Sequence, residues 1–363
     1  MSNTAPRAAV GIISIGEMGV GIAKLLQAYD YEVLTTTAGR RSYLDQLPAN
    51  VIHPRTYSTT SPPATSKRAT DAGITVLPTD AVLIETADYI LSIVPPRDAI
   101  ATANRIIDAY TSTSRDTTKP PLYFLDLNAI APSTARTIES AITSRAPAIR
   151  FVDGGIIGMP PTPHNEPQSS APSEPSSSPS TDPALASSLL TWKRPSIPVS
   201  GPHAITAAPL SGAHLATVLS IKHLSNEIGP ASGLKASFAA LTKGFTALSL
   251  QSYSTAHQLG VLPELQLQLS ARFPHHRAAA ERSIVSMQHK AYRWVGEMEE
   301  IGTTFADEGG WGDEARVFEQ VAGVYRAVAE ETALGTEEGR RGDVEGVVGE
   351  LVDGLRRGTG EGR

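Results

Sequence analysis

Apolar runs alternate with helical patterns through the first half of the chain. Residues 8–13 form the continuous apolar run that is typical of a buried parallel strand, and beyond Gly19 the residues Ile22, Leu25 and Leu26 recur at helical spacing. Further strands are predicted at 31–36, 73–76, 87–94, 122–126, 150–153 and 218–224, and regular structure resumes at 197–201 after a break. This alternation predicts an α/β fold with an N-terminal, Rossmann-type doubly wound sheet.

From residue 233 onward the periodicity is helical. Apolar residues at intervals of three or four predict one long buried helix through Leu234, Phe238, Leu241, Phe245 and Leu248. The same spacing predicts a helix from Trp294 through Met298 and Ile301 to Phe305, and another from Val317 through Val321 to Tyr325. We therefore expect an all-α C-terminal domain after the sheet.

Composition shifts divide the chain further. The predicted sheet domain covers residues 1–227, with a disordered insertion at 160–190 because serine and proline dominate there. The predicted helical domain covers 228–334. Residues 335–363 are rich in glycine and charged side chains, and we interpret them as a tail or a partner-docking helix, with glycines that count against a helix.

The amino-acid composition also limits the classes of ligand and partner that this protein can bind. The 363 residues are 40% hydrophobic and 19% charged, with a net charge of −6 and no cysteine. The acidic balance argues against nucleic acid, the lack of cysteine excludes disulfides and thiolate zinc sites, and no metal-binding constellation stands out. No apolar run approaches the roughly 20 residues of a membrane span. We expect a cytoplasmic protein that acts on a small molecule.

The turn after the first strand carries a dinucleotide-binding pattern. Ser14, Gly16 and Gly19 occupy the slots of G-x-G-x-x-G, with Ile15, Glu17 and Met18 between them. In this motif the glycines admit a diphosphate close to the backbone, and the anion lies on the unpaired amides of the helix that follows. Ser14 departs from the pattern at the first glycine. The strand–turn–helix context strengthens the match, so these six residues are the predicted cofactor turn.

The residues after the second strand indicate which nicotinamide cofactor binds. An acidic side chain about twenty positions after the fingerprint would contact the ribose hydroxyls of NAD. Here Arg40, Arg41 and Ser42 stand in that place. Guanidinium groups pair with phosphate through two hydrogen bonds, so these residues favour the 2′-phosphate of NADP(H). The alternative is a solvated basic turn without a ligand.

Several later strands end at polar residues, glycines or prolines. Ligands of open α/β sheets bind beyond the carboxyl ends of the strands. We therefore expect cofactor contacts from Val94, Pro95, Pro96 and Asn128, and substrate contacts from Asn128, Ile157 and Gly158.

Lys235 is the best candidate for acid–base chemistry. It follows the small residues 229–233 at the start of the long helix, where a substrate could approach closely, and burial of an amine favours its neutral form. Thr242 and Lys243 lie seven and eight residues further on, near the same helix face, and are predicted to contact substrate. Spacing alone favours an ordinary surface lysine, since most lysines are exposed.

The chain resembles the β-hydroxyacid dehydrogenase and 6-phosphogluconate dehydrogenase-like superfamily, in particular the branch with a helical C-terminal domain called DUF1932. The matching stretches are Ile15–Gly19, Ala87–Asp88 through Val94–Pro96, Asp126–Asn128 with Pro132, Phe151–Asp153 with Ile156–Gly158, Val199–Pro202, Gly229–Gly244 and Tyr292–Ile301. The resemblance implies that Lys235 is the acid–base residue. It also implies a homodimer in which the helical domains pack together.

Two departures from the superfamily pattern bear on the substrate. Isoleucine stands at Ile157 where relatives have the serine that binds a substrate carboxylate, and Ala239 replaces the asparagine that follows the lysine by four residues. Both changes leave a more apolar pocket, so phosphogluconate is not the expected substrate.

The leading hypothesis is an NADP(H)-dependent dehydrogenase or reductase that acts on a small hydroxy acid or the corresponding oxo compound. An imine reductase is the alternative within enzymes, and it would need a neutral Lys235 because an iminium substrate is already cationic. A cofactor-binding sensor without turnover is the alternative outside enzymes.

Overall fold

The computed structural model describes residues 5–37, 62–164, 183–336 and 338–358. The described residues form two compact units that divide between Lys235 and Ala236. The sequence predicted this boundary at 227/228. The observed division is later because the first residues of the long helix are bonded to the sheet, through contacts described below.

The first unit alternates strands and helices. Its strands are β1 (Ala9–Ile13), β2 (Glu32–Thr36), β3 (Thr75–Leu77), β4 (Tyr89–Ser92), β5 (Tyr123–Asp126), β6 (Arg150–Gly154), β7 (Thr162–Pro163), β8 (Trp192–Lys193), β9 (Ile197–Ser200) and β10 (Ile221–His223). Its helices are α1 (Glu17–Gln27), α2 (Pro62–Asp71), α3 (Asp80–Thr86), α4 (Ala99–Ser112), α5 (Pro132–Arg145), α6 (Pro183–Leu189) and α7 (Gly212–Val218).

Eight strands form one sheet in the order β10-β9-β6-β5-β4-β1-β2-β3. The strands from β1 to β6 are parallel, β9 pairs antiparallel with β6, and β10 runs parallel to β9. The chain enters at the centre and winds outward in both directions. The predicted Rossmann-type doubly wound sheet is confirmed.

Both faces of this sheet are buried. Successive residues of β1 belong to different hydrophobic cores, with Val10 and Ile12 in one and Ala9 and Ile13 in the other. A strand covered on both faces needs apolar side chains at every position, which explains the continuous apolar run in the sequence.

Two predicted segments of this unit differ from the structure. The strand expected at 218–224 is confined to β10, because the residues before it complete the short helix α7. The expected disordered insertion at 160–190 has ordered flanks: β7 pairs with β8, and α6 buries Leu189 in the core. Residues 165–182 lie outside the described residues.

The long helix α8 (Pro230–Gln258) begins in the first unit and continues into the second. The remaining helices of the second unit are α9 (Leu262–Arg272), α10 (Pro274–Met287), α11 (Ala291–Asp307), α12 (Val317–Glu331) and α13 (Val344–Gly358). The predicted all-α region and its helices at 294–305 and 317–325 are confirmed. Among the described residues, no helix is both long and apolar enough to cross a membrane.

The segment interpreted as a tail contains α13, which is part of the helical core. Val347 and Val348 are fully buried, and Leu351 is nearly so. Each glycine costs a helix about 1 kcal/mol, whereas each buried Val or Leu contributes about 1.5–3 kcal/mol. Burial therefore outweighs the glycines that counted against this helix.

The predicted buried face of α8 is exposed instead. Leu241 is 79% exposed and Leu248 60%, and Leu234 and Phe238 are also exposed. The helix turns Ala236, Ala239, Ala240 and Ala247 inward, followed by Leu250 and Tyr253. The alanine face therefore belongs to the helical core, and of the predicted bulky face only Phe245 packs against that core among the described residues.

Candidate functional site

The turn between β1 and α1 has the geometry of a dinucleotide-binding turn. Gly16 caps α1 with an extended backbone, and among the described residues no side chain accepts a hydrogen bond at this N-terminus. A Cβ built on Gly16 would meet nothing within 4 Å. Uncapped amides and the positive end of the helix dipole therefore face open space, which fits the phosphate groups of a dinucleotide.

Ser14 and Gly19 hold this turn tightly. Ser14 has φ +81°, the left-handed conformation that a glycine adopts without strain. A Cβ on Gly19 would lie 2.3 Å from the carbonyl oxygen of Ser14. The fingerprint glycine at 19 is thus required for close approach, while Ser14 accepts the strained conformation in place of the missing glycine.

The other predicted residues of the turn differ in accessibility. Ile15 is 1% exposed, so only its backbone could face a ligand, whereas Glu17 is exposed and Met18 half-buried. Arg68 on α2 was not predicted. Its Nη1 donates to the carbonyl oxygen of Ile15 at 2.9 Å. No sequence pattern pointed to this residue, because the helix that carries it was itself not predicted.

Asn128 supports the site from within the protein. Its Oδ1 accepts from the N–H of Val94 at 2.6 Å, and its Nδ2 donates to Asp126 and to the hydroxyl of Ser92. The side chain is only 3% exposed. The Asn128 side chain therefore ties the ends of β4 and β5 together, and its predicted contact with cofactor or substrate stays a prediction.

The segment after β4 is anchored by this bond. Val94 and Pro95 are half-buried, and Pro96 is buried at the start of a short 3₁₀ turn, 96–98. All three follow the carboxyl end of β4, next to β1 in the sheet. The predicted cofactor residues of the two adjacent strands therefore share one edge.

A buried carboxylate holds the N-terminus of α8. Asp153 Oδ2 accepts from the N–H of Gly229 at 3.0 Å and of Ser232 at 3.3 Å, and Oδ1 contacts the Ser232 hydroxyl at 2.5 Å. The Ser200 hydroxyl donates to the same Oδ2 at 2.8 Å and accepts from the N–H of Ala231. Burial raises the pKa of Asp153, and these hydrogen bonds oppose the rise.

Lys235 lies one helical turn beyond this anchor. Its Nζ donates to the carbonyl oxygen of Ile156 at 2.6 Å. A Cβ on Gly155 would lie 2.8 Å from Lys235 Cβ, so the glycine makes room for the lysine stem. The lysine is thus half-buried and fixed at the carboxyl end of β6, rather than extended into solvent.

The predicted substrate residues Ile157 and Gly158 directly follow Ile156, whose carbonyl oxygen accepts from Lys235. Ile157 pairs through its backbone with Ser196, with N–H to oxygen distances of 2.8 and 2.9 Å. Gly158 has φ +129° and is exposed. The Ile157 side chain is half-buried, so this position presents an apolar group at the end of β6.

Thr242 and Lys243 belong to the second unit, and the structure gives Lys243 a structural role there. Lys243 forms an ion pair with Glu297 and lies 4.9 Å from the ring centre of Trp294. The hydroxyl of Thr242 bonds back to the carbonyl of Phe238 in its own helix. Trp294 and Glu297 of the 292–301 stretch thus both contact Lys243, and the predicted substrate contacts of Thr242 and Lys243 stay predictions.

Arg40, Arg41 and Ser42 lie outside the described residues, so their predicted contact with a 2′-phosphate stays a prediction.

Comparisons with known proteins agree with this fold. Residues 256–328 match the family model described as Domain of unknown function (DUF1932). No curated protein sequence matches the chain.

Solved structures match along nearly the whole chain. The 3-hydroxyisobutyrate dehydrogenase of Mycobacterium tuberculosis, bound to L-serine, is 13% identical, with a TM-score of 0.56 over 96% of this chain and 99% of that one. MTH1747, a conserved protein of unknown function with structural similarity to 3-hydroxyacid dehydrogenases, is 21% identical, with a TM-score of 0.53 over 88% and 97%. Psf3, in complex with NADP+ and 2-OPP, is 15% identical, with a TM-score of 0.52 over 89% and 93%. At these identities the likeness establishes the fold: a Rossmann-type sheet followed by a helical region.

Proposed function

We propose that this protein is an NADP(H)-dependent oxidoreductase that reduces a small oxo compound, or oxidises the corresponding hydroxy compound, with Lys235 as general acid or base. The observation that carries the proposal is the fixed position of Lys235 Nζ at the carboxyl edge of the sheet that also holds the open turn of α1. The two features lie at β6 and β1, three strand spacings apart, or about 14 Å. An extended dinucleotide spans such a distance.

The α1 turn fits the diphosphate of the cofactor. The amides at the start of α1 would bind its oxygens, and Gly16 leaves the space in front of them free. Arg40, Arg41 and Ser42 support NADP(H) over NAD(H), since two arginines replace the expected acid. The structure of Psf3 with NADP+ shows that a protein of similar fold binds this cofactor.

Lys235 supplies the proton chemistry. When bound, NADPH supplies the hydride for carbonyl reduction. An ammonium at Nζ would donate the proton that the substrate oxygen needs as it becomes a hydroxyl, and a neutral amine would accept that proton in oxidation. The carbonyl of Ile156 accepts a stronger hydrogen bond from an ammonium than from an amine. This contact supports a proton donor and an oxo substrate over a cationic iminium.

The test is NADPH consumption, with NADH in parallel, on a panel of β-oxo acids, aldehydes, ketones and cyclic imines. Lys235→Met removes the proton donor and is expected to lower kcat about 10²- to 10⁴-fold while the Kd for NADPH is unchanged. Lys222→Met is the matched control, because this lysine is exposed on β10, and it is expected to retain full activity.

Three outcomes contradict parts of the proposal. Full turnover by Lys235→Met removes the lysine from the mechanism. Turnover on imines alone identifies an imine reductase. NADPH binding without turnover on any substrate class supports a sensor.

We also propose that the protein forms a homodimer through the helical unit. Leu241 and Leu248 are one heptad apart on α8, and with the exposed Leu234 and Phe238 on the same helix they form an apolar stripe. Seven-residue spacing is typical of a helix that packs along another helix. A large exposed apolar stripe also marks interaction surfaces on soluble proteins. A second copy of this chain supplies the same stripe.

Leu241→Glu places a charge in this stripe and is expected to convert a dimer into a 38.3 kDa monomer in analytical ultracentrifugation. Thr303→Glu adds the same charge at an exposed position of α11 and is expected to leave the dimer intact. A wild-type protein that sediments as a monomer at micromolar concentration contradicts the proposal.

A further inference from the structure

The segment 153–156 lies beside the first turn of α8 and contacts it in register. Asp153 bonds to Ser232, and the carbonyl oxygen of Ile156 accepts from Lys235, and in both pairs the partners are 79 residues apart. Gly155 lies between them against the stem of Lys235. These contacts fix which residues at the start of the helix face the segment.

The position of Lys235 Nζ depends on this register. A shift of one residue turns a helix by about 100° and moves it about 1.5 Å along its axis. Such a shift would turn Lys235 away from the carbonyl of Ile156. Gly229, directly before the helix, has no side chain that could accept from the first turn, so the acceptors come from Asp153 on β6 and Ser200 on β9.

The identity of the acceptor points to positioning rather than to stability alone. A Ser or Asp next to a helix start satisfies the first amides at the surface, without desolvation of a charge. Asp153 is fully buried, and burial of a carboxylate is costly unless hydrogen bonds compensate it. A local cap satisfies the helix amides but does not hold the helix against another element. An acceptor on a distant strand also fixes the position of the helix relative to that strand.

We propose that Asp153 is a positioning residue for the reaction. It holds the start of α8 on β6, so that Lys235 Nζ stays at the carboxyl end of β6, where the substrate is proposed to react. This inference rests on the proposed role of Lys235. Asp153 touches neither cofactor nor substrate in this arrangement, and it acts only through the helix and the lysine.

The test compares Asp153→Asn with a variant that loses an ordinary helix cap. The amide keeps one acceptor oxygen but replaces the other with an N–H group, so the contacts that hold the helix start are weakened. We expect kcat to fall at least about tenfold while the Kd for NADPH, bound at the distant α1 turn, is unchanged. Thr79 caps α3 through the N–H of Val82 at 3.2 Å, so Thr79→Ala removes a cap of ordinary type and is expected to keep kcat.

A milder variant covers the case in which Asp153→Asn does not fold. Ser232→Ala removes the hydroxyl contact and leaves the backbone bonds to Asp153, and it is expected to lower kcat severalfold with an unchanged Kd for NADPH. Wild-type kcat in a folded Asp153→Asn variant overturns the inference. An equal loss of kcat in Thr79→Ala also overturns it, because general destabilisation would then explain the effect.

A second measurement is independent of turnover. The rate at which an amine-reactive reagent modifies Lys235, followed by peptide mass spectrometry, is expected to rise severalfold in Asp153→Asn and to stay unchanged in Thr79→Ala. If the wild type shows no turnover but the labelling rates differ as expected, the proposed function fails and the positioning role of Asp153 stands. If the wild type turns over and Lys235 is labelled at the same rate in the wild type and in Asp153→Asn, only the positioning role of Asp153 fails.

Discussion

Two helices of the first unit begin at the carboxyl edge of the same sheet, and their N-termini are built in opposite ways. Helix α1 starts at Gly16 with no side-chain cap and open space in front of it. Helix α8 starts after Gly229 with its first amides bonded to Asp153 and Ser200. Every helix start has amides that need acceptors. At α8 the side chains of two distant strands accept from the helix start, whereas at α1 the amides have no side-chain acceptor among the described residues, which suits the anion proposed there.

Among changes to the α1 turn, Gly19→Ala is expected to have the largest effect on stability and on NADPH binding. The added Cβ would lie 2.3 Å from the backbone oxygen of Ser14, which cannot move without opening the turn. We expect the free energy of unfolding to fall by about 3 kcal/mol and NADPH binding to be lost. Chemical denaturation and fluorescence titration measure the two effects.

Gly16→Ala is the matched control for that variant. Its Cβ meets nothing within 4 Å, so the free energy of unfolding is expected to stay near the wild-type value. The methyl group projects into the space proposed for the diphosphate, so the Kd for NADPH is expected to rise. A stable Gly16→Ala variant with wild-type affinity would contradict the placement of the cofactor at this turn.

The smallest effect is expected from Ser14→Gly. Ser14 has φ +81°, and a left-handed conformation costs an L-residue about 1–2 kcal/mol, which the greater chain entropy of glycine partly offsets. We expect the free energy of unfolding to rise by about 0.5 kcal/mol with an unchanged Kd for NADPH. A loss of stability in thermal unfolding would show that the serine side chain contributes to the turn.

Most strands of the sheet were predictable because burial on both faces leaves a local trace. Strand β4 and strand β5 are short apolar runs that end at turn residues, and no partner needs to be known to recognise them. The fingerprint glycine at 19 is predictable for a similar reason, since its role depends on residues only a few positions away.

The α8 helix shows where this reasoning fails. Its period predicted a helix correctly, but its bulky residues were assigned to the core. Leu241 is exposed, whereas Ala239 and Ala240 are buried in the helical core. The spacing of apolar residues shows that a helix has two different faces, but only its packing partners decide which face is buried.

Polar residues were harder still to assign. The sequence did not predict that Asn128 bonds to Val94, Asp126 and Ser92. It also did not predict that Lys243 pairs with Glu297, 54 residues later in the chain. Hydrogen bonds between distant residues leave no periodic signal, so their partners cannot be found from spacing.

Local sequence patterns were enough to predict most strands, the change to an all-α region and the glycine turn of α1, whereas the choice of Lys235 also needed the family resemblance. Each of these patterns depends on local backbone geometry or on the burial of neighbouring side chains. Tertiary contacts were needed to establish which face of α8 is buried, what Asn128 and Lys243 bind, and how Asp153 holds the helix that carries Lys235. The physical reason is distance along the chain: a hydrogen bond or a packed face acts over a few ångströms, and here folding brings together residues as far as 79 positions apart.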